Sequence, residues 1–244
     1  MLDLPKFEKM GRAFEFRKAR KMKRWDAMAK AFTRWGKEIA MAVKQGGSNQ
    51  ETNARLRTAI QNAKGVNMPK DKIESAVKRA ASKDEKDFEE MVYEGYGPYG
   101  VAILAECASD NPTRTVANVR MYFNRGSGTL GKTGSLDFIF TRKGVFKFAS
   151  AGLNRDDLEL ELIDFGADEI IEQGEEIFVY TSFTDFGGMQ KALEDKGIVV
   201  ISAELQRIPN TFVELTEAQE EELLELIDKF EEDDDVQAVY HNIA

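Results

Sequence analysis

A change of apolar period near residue 88 sets the terms for any fold of this 244-residue chain. Before it, apolar residues return at Trp25, Met28, Phe32, Trp35, Ile39 and Val43, the three-and-four spacing of one helix face. Gln45-Gly46-Gly47-Ser48 breaks that run. A second helix is expected from Thr52-Asn53, where either side chain can cap it; it buries Leu56, Ala59, Ile60 and Ala63 and stops at Gly65. A third opens at Asn67-Met68-Pro69, since proline suits a first helical turn, and Asp71 and Glu74 lie near the positive end of its dipole. Its inner face is Ile73, Ala76, Val77 and Ala80, and the polar run Ser82–Lys86 reads as a linker.

Past the change, short strands and helices alternate. Strands are expected at Val101–Cys107, Ser135–Phe140, Val145–Phe148, Ile198–Leu205, Phe212–Leu215 and Val236–Tyr240, with two more around the turn Gln173-Gly174-Glu175. Helices are expected at Thr113–Asn124, Asp156–Phe165, Asp185–Lys196 and Glu217–Phe230, while Arg142-Lys143-Gly144 reads as a turn. From Val145 to Leu205 the order is βαββαβ, that of a ferredoxin-like fold, and the flanking pieces give βαβ and βαβ, the same order interrupted midway. The expected class is therefore α+β: an N-terminal helical domain followed by two ferredoxin-like α+β domains, one inserted into the other. The expected boundaries are 1–87, then 88–140 with 209–244, then the insertion 141–208; the length suits more than one core.

The net charge of −9 is unevenly spread. Residues 1–87 hold 22 Lys+Arg against 11 Asp+Glu, and residues 88–244 hold 12 against 32, so +11 is joined to −20. That asymmetry points to a basic module that meets polyanions and an acidic body able to face a protein partner. No apolar run approaches the roughly 18–20 residues of a membrane span, and MLDLPKFEK lacks the apolar centre of a secretory signal. A cytoplasmic location without a membrane partner is expected. Cys107 is the only cysteine and His241 the only histidine, too few for a disulfide framework or a zinc site, so no metal or other cofactor is expected.

One stretch looks like chemistry. In NRGSGTLGKTGSLD, Gly126, Gly131, Lys132 and Thr133 match the phosphate-loop pattern G-x-x-x-x-G-K-[ST]. A working phosphate loop leaves a buried strand and enters a helix, so that backbone N–H groups point at the phosphates. Here the order is reversed: Gly126 follows the helix holding Val116, Val119 and Phe123, as a left-handed cap, and the alternating run Leu136, Phe138, Phe140 reads as strand. The match is accidental. Cys107 and His241 form no nucleophile–base pair with an orienting third group, and Asp233-Asp234-Asp235 and Glu220-Glu221-Glu222 lack the spacing of a calcium loop. The chain is expected not to be an enzyme.

The basic lobe is the expected working part. Arg17, Lys18, Arg20, Lys21, Lys23 and Arg24 fall within eight residues, with Arg12 upstream and Arg55, Arg57, Lys64, Lys70, Lys72, Lys78 and Arg79 downstream. Phosphate backbones favour such a surface because each neutralised phosphate frees condensed counterions. Arginine adds bidentate contacts, and helix starts near Asn53 and Pro69 offer backbone donors. Base recognition is harder to find: Lys143-Gly-Val-Phe-Lys-Phe148 faintly echoes the aromatic strand of RNA-recognition modules, but Phe146 and Phe148 read as core.

These residues also carry a family likeness. Gly46-Gly47, Asn53-Ala-Arg-Leu-Arg57, Ala59-Ile60, Ala63-Lys64, Asn67-Met-Pro-Lys-Asp71, Tyr93-Glu-Gly-Tyr-Gly-Pro98, Asp110-Asn111, Arg114-Thr115, Leu130-Gly131 and Gly134-Ser135 closely resemble the YebC/PmpR family, in that order and over nearly the whole chain from Met10. Members are named as probable transcriptional regulators in bacteria, and a mitochondrial relative activates translation of a cytochrome oxidase subunit. The resemblance implies a helical domain, two α+β domains and a cytoplasmic, non-catalytic role on nucleic acid: DNA first, RNA or the ribosome as the alternative. Members commonly begin with a Gly-His-Ser-Lys-Trp-like stretch; Met10-Gly-Arg-Ala-Phe-Glu-Phe16 replaces it here, so contacts of that opening do not transfer. Residues 1–9 read as an extension without a role.

Overall fold

The computed structural model describes residues 25–82 and 87–244. They group into two compact units, one of 25–37, 87–140 and 209–244, the other of 38–82 and 141–208. The first helix, α1 (Trp25–Gly46), contributes its residues up to Lys37 to the first unit and the rest to the second.

In the first unit, β1 (Glu89–Tyr96), β2 (Ala102–Ser109), β3 (Thr129–Leu130) and β8 (Val236–His241) form one sheet in the order β3-β1-β2-β8, and the three pairings are all antiparallel. Two helices, α4 (Pro112–Arg125) and α7 (Glu217–Glu231), accompany it. Because successive strand residues face opposite sides, Val101, Ile103, Ala105 and Cys107 line one core with Val119 and Phe123 of α4 and Leu223, Leu226, Ile227 and Phe230 of α7. Ala102 and Leu104 face a second core closed by Leu136, Ile139 and Phe140.

This arrangement corrects two expected strands. Ser135–Phe140 folds as turns up to its last residue, with Leu136 O accepting from Ile139 N at 2.8 Å and Phe140 N at 3.2 Å. Its buried side chains, at 136, 139 and 140, follow the spacing of a helical turn, and Phe138 is 72% exposed. Phe212–Leu215 forms only an isolated parallel bridge, Val213 to Ile243. The place expected for it in the sheet is taken by β1. If β2 opens a βαββαβ order with α4, β3, α7 and β8 following, the third strand position belongs to β1, which comes first in the chain.

The second unit's sheet uses β4 (Phe140–Ala149), β5 (Ala167–Gln173), β6 (Glu176–Ser182) and β7 (Val200–Pro209) in the order β5-β6-β4-β7, the ferredoxin-like pattern read from the sequence. Helices α5 (Arg155–Leu162) and α6 (Phe186–Asp195) cross over between strands. Phe146 and Phe148 of β4 are fully buried among Leu158, Leu162, Ile177, Val179, Met189 and Leu193, so they are core. The expected turn at 142–144 is continuous strand instead. Gly144 pairs with Thr181, and a Cβ there would lie 2.7 Å from the Phe186 ring, so the glycine makes room for an aromatic rather than for a bend.

Two further helices complete this unit, α2 (Ala54–Gly65) and α3 (Lys70–Ala80). Asn53 caps α2 by accepting from Leu56 N at 3.0 Å, while its Nδ2 donates to Ala42 O and Gly47 O at 2.7 and 2.8 Å. A Cβ on Gly46 would stand 2.7 Å from that amide, which is why glycine precedes the break. Asn62 joins α2 to the edge strand β7: its amide donates to Ala203 O at 2.7 Å and accepts from Ala203 N at 2.8 Å. The edge is thereby paired by a side chain, which satisfies backbone groups that would otherwise be buried without partners.

Candidate nucleic-acid interface

Of the side chains expected to meet polyanions, Arg12, Arg17, Lys18, Arg20, Lys21, Lys23 and Arg24 lie outside the described residues, as does most of the expected linker, 83–86. Arg55, Arg57, Lys64, Lys70 and Lys72 stand on α2 and α3.

The two arginines make contacts within the unit. Arg55 donates to Gln45 Oε1 at 2.7 Å and to Glu38 Oε2 at 3.3 Å, tying α2 to α1. Arg57 donates to Gln50 O at 3.0 Å, closing the loop before α2, and its Nε lies 3.8 Å from Glu194. Lys64, Lys70, Lys72, Lys78 and Arg79 are exposed. Lys72 and Arg79, two helical turns apart, share one face of α3. Lys64 closes α2, and Lys78 and Arg79 close α3, where cations meet the negative end of the dipole. Lys70 pairs with Glu74 at 3.7 Å, but both side chains are largely in water, where such a pair holds little. Of the two helix starts expected to offer donors, the one at Asn53 is closed by its own side chain, and the one at Pro69 has no side-chain cap.

The glycine-rich loop is occupied from within. Glu94, only 3% exposed, accepts from Gly134 N at 2.8 Å and Leu136 N at 2.7 Å, and its backbone carbonyl takes Gly131 N at 2.7 Å. Within the phosphate-loop motif itself, Gly126 N and Gly128 N donate likewise to the carbonyls of Tyr122 and Phe123, at 3.0 and 2.7 Å. These amides are taken up by the unit's own backbone, while the carboxylate holds those just beyond the motif. Gly126 is not the left-handed cap expected: its φ is −89°, and Ser127 takes the positive φ of 55°. A Cβ on Gly126 would lie 2.5 Å from Leu226 Cδ2, so glycine there permits close packing of α4 on α7.

Cys107 and His241 do not meet. In the β2–β8 register His241 stands opposite Ile103 and Val236 opposite Cys107, which separates them by about 13 Å along the sheet. Burial, reinforced by Asp233 and Asp235, pushes the Cys107 thiol up to about 12, so no thiolate is present at neutral pH. Among the described residues no group of three or more His, Cys, Asp or Glu side chains could hold a metal ion.

Asp235, 4% exposed, gathers another polar cluster that the sequence spacing gave no sign of. It accepts from Arg114 Nη2 at 2.7 Å, Ser109 Oγ at 2.9 Å, Thr115 Oγ1 at 3.0 Å and Lys37 Nζ at 3.1 Å. Lys37 also donates to Ala108 O and Asp234 O at 2.9 and 2.7 Å, which ties the part of α1 that belongs to the first unit to the end of β2 and the loop before β8. Burial alone would raise the Asp235 carboxyl, but the donors from Arg114, Ser109, Lys37 and Thr115 outweigh it and bring it down to about 2. The motif residues Asn111, which caps α4 through Arg114 N at 3.1 Å, and Arg114-Thr115 are thus structural.

An α+β protein with exposed cations on its helices α2 and α3 is the class these features define. Residues 12–83 match the TACO1/YebC protein N-terminal domain and residues 88–243 the TACO1/YebC second and third domain, so the chain belongs to the TACO1/YebC family. It is 66% identical over 235 residues to a probable transcriptional regulatory protein of Cytophaga hutchinsonii, covering 96% of this chain and 99% of the relative. It is 55% identical over 234 residues to one of Flavobacterium johnsoniae, with the same coverage. The crystal structure of a conserved hypothetical protein from Aquifex aeolicus superposes with a TM-score of 0.77 at 34% identity, covering 88% of this chain and 90% of that one.

Proposed function

We propose that this chain is a non-enzymatic, cytoplasmic regulator of gene expression that binds DNA through its basic N-terminal lobe. The observation that carries the reading is the segregation of +11 over residues 1–87 from −20 over the remainder. The exposed side chains Lys64, Lys72, Lys78 and Arg79 present part of that charge to solvent. The relatives' names as probable transcriptional regulatory proteins agree with it. Phosphate contacts of this kind position a protein on a polynucleotide without reading its sequence, and the same surface serves RNA or a ribosome as a second reading. Among the described residues no helix is long and apolar enough to cross a membrane.

The test compares retention on duplex DNA with co-sedimentation on ribosomes at about 150 mM salt. Serine at Arg17, Lys18, Arg20, Lys21, Lys23 and Arg24, or separately at Lys64, Lys72, Lys78 and Arg79, should weaken DNA binding and flatten the dependence of log K on log salt by about 0.9 per lost phosphate contact. An unchanged slope in both variants rejects the lobe as the interface, and stable ribosome association with negligible duplex binding selects the second reading.

A further inference from the structure

The longest stretch of this chain without a lysine or arginine runs from Asp156 to Gln190, and it holds eleven Asp and Glu residues. It folds within the second unit as α5, the turn Ile163–Phe165, β5, β6 and the opening of α6. On that acidic surface apolar side chains stand in water: Leu160 is 76% exposed, Ile163 61% and Phe165 44%. They are not needed by the core, because α5 already buries Leu158 and Leu162 on its other face. Leu160 and Ile163 are one turn apart and point the same way.

Ile163 and Phe165, with Gly166, Thr184, Asp185 and Gly188, line an open groove of about 420 Å³. Its glycine wall is bare, since a Cβ on Gly187 or Gly188 would meet nothing within 4 Å. Phe183 flanks Thr184 and carries the Arg142 guanidinium 4.4 Å above its ring. Cations from outside the stretch pair with some of its carboxylates: Arg155 with Glu159, Lys196 with Glu161, Lys143 with Asp168 and Lys147 with Glu176. None of those pairs involves Asp157, Asp164 or Asp185.

The chemistry of the face selects its occupant. A polynucleotide is repelled by it, and a second copy in isologous contact would set the acidic surface against itself. We propose that this face docks a cationic amphipathic segment of a partner protein, whose apolar side chains cover Leu160, Ile163 and Phe165 while its Lys and Arg meet Asp157, Asp164 and Asp185. This goes beyond nucleic-acid binding and does not rest on it. Such a segment gains apolar burial and charge pairing together, the two-part recognition of a helix laid in a groove.

The probe is a labelled peptide of about 18 residues with Leu and Phe at i, i+3, i+4 and i+7 and Lys or Arg elsewhere, titrated against the full chain at about 150 mM salt. One-to-one saturable binding is expected, weakened about tenfold by Leu160→Ser with Ile163→Ser and about fivefold by Asp157→Asn with Asp164→Asn. Both variants should keep the parent melting temperature and its retention on duplex DNA. Equal binding of an all-polar lysine peptide of the same charge overturns the proposal, as does unchanged binding in the Leu160/Ile163 variant. So does a dimer that this variant splits, or a loss of DNA retention in step with peptide binding.

Discussion

Asp235 shows how much one side chain can organise. Its donors come from α1, the end of β2 and the start of α4, and all converge on a carboxyl that burial alone would push up. The folded chain holds this carboxyl at about 2, below the ordinary value of about 3.9 in an unfolded chain. The ionised form therefore contributes stability above about pH 4, and that contribution disappears as the pH falls toward 2. Asp235→Asn should lower stability at pH 7 by on the order of 2 kcal/mol or more, with the gap from the parent narrowing between about pH 4 and 2. Urea denaturation of both proteins across that range reads the effect, and a gap independent of pH would remove the charge from the explanation.

Among the elements, the loop from Gly131 to Leu136 depends on a strand forty residues earlier in the chain. Glu94→Gln keeps the shape but turns one acceptor into a donor facing a backbone N–H, which costs about 1–3 kcal/mol. Denaturation midpoints should fall accordingly, and the amides of Gly134 and Leu136 should exchange faster; unaltered exchange would mean the loop holds itself. The same contact explains what the sequence showed and what it hid. Helices α1, α2 and α3 were legible because their signals are local: apolar spacing, the Asn53 cap, Pro69 before the first turn. The insertion's βαββαβ order was legible for the same reason. Strand β1 was not, because its sequence EEMVYEGY buries a glutamate and exposes a tyrosine, and only the loop it grips makes sense of that. Ser135–Phe140 alternates in letters yet turns in space. The cations were legible as a total, but which of them also have partners within the fold was not: Lys37, Arg55 and Arg57 find theirs through contacts that no spacing announces.

For the molecule as a whole, the first sheet is built from both ends of an interrupted segment. Ile139 O accepts from Asn210 N at 2.7 Å, so the chain leaves and re-enters the first unit at one point. Cys107 lies in the core that α7 and β8 complete, and as the only cysteine it reports on that closure. In the full chain its thiol should resist a soluble disulfide reagent, while a chain ending at Asn210 should react at least about tenfold faster. Equal protection in the two would mean that β1, β2 and α4 shelter it unaided. During synthesis, β2 leaves the ribosome more than a hundred residues before the last strand that must lie beside it. At about 5–20 residues per second, that nascent half waits several seconds with oily side chains uncovered, long enough for a chaperone to find it.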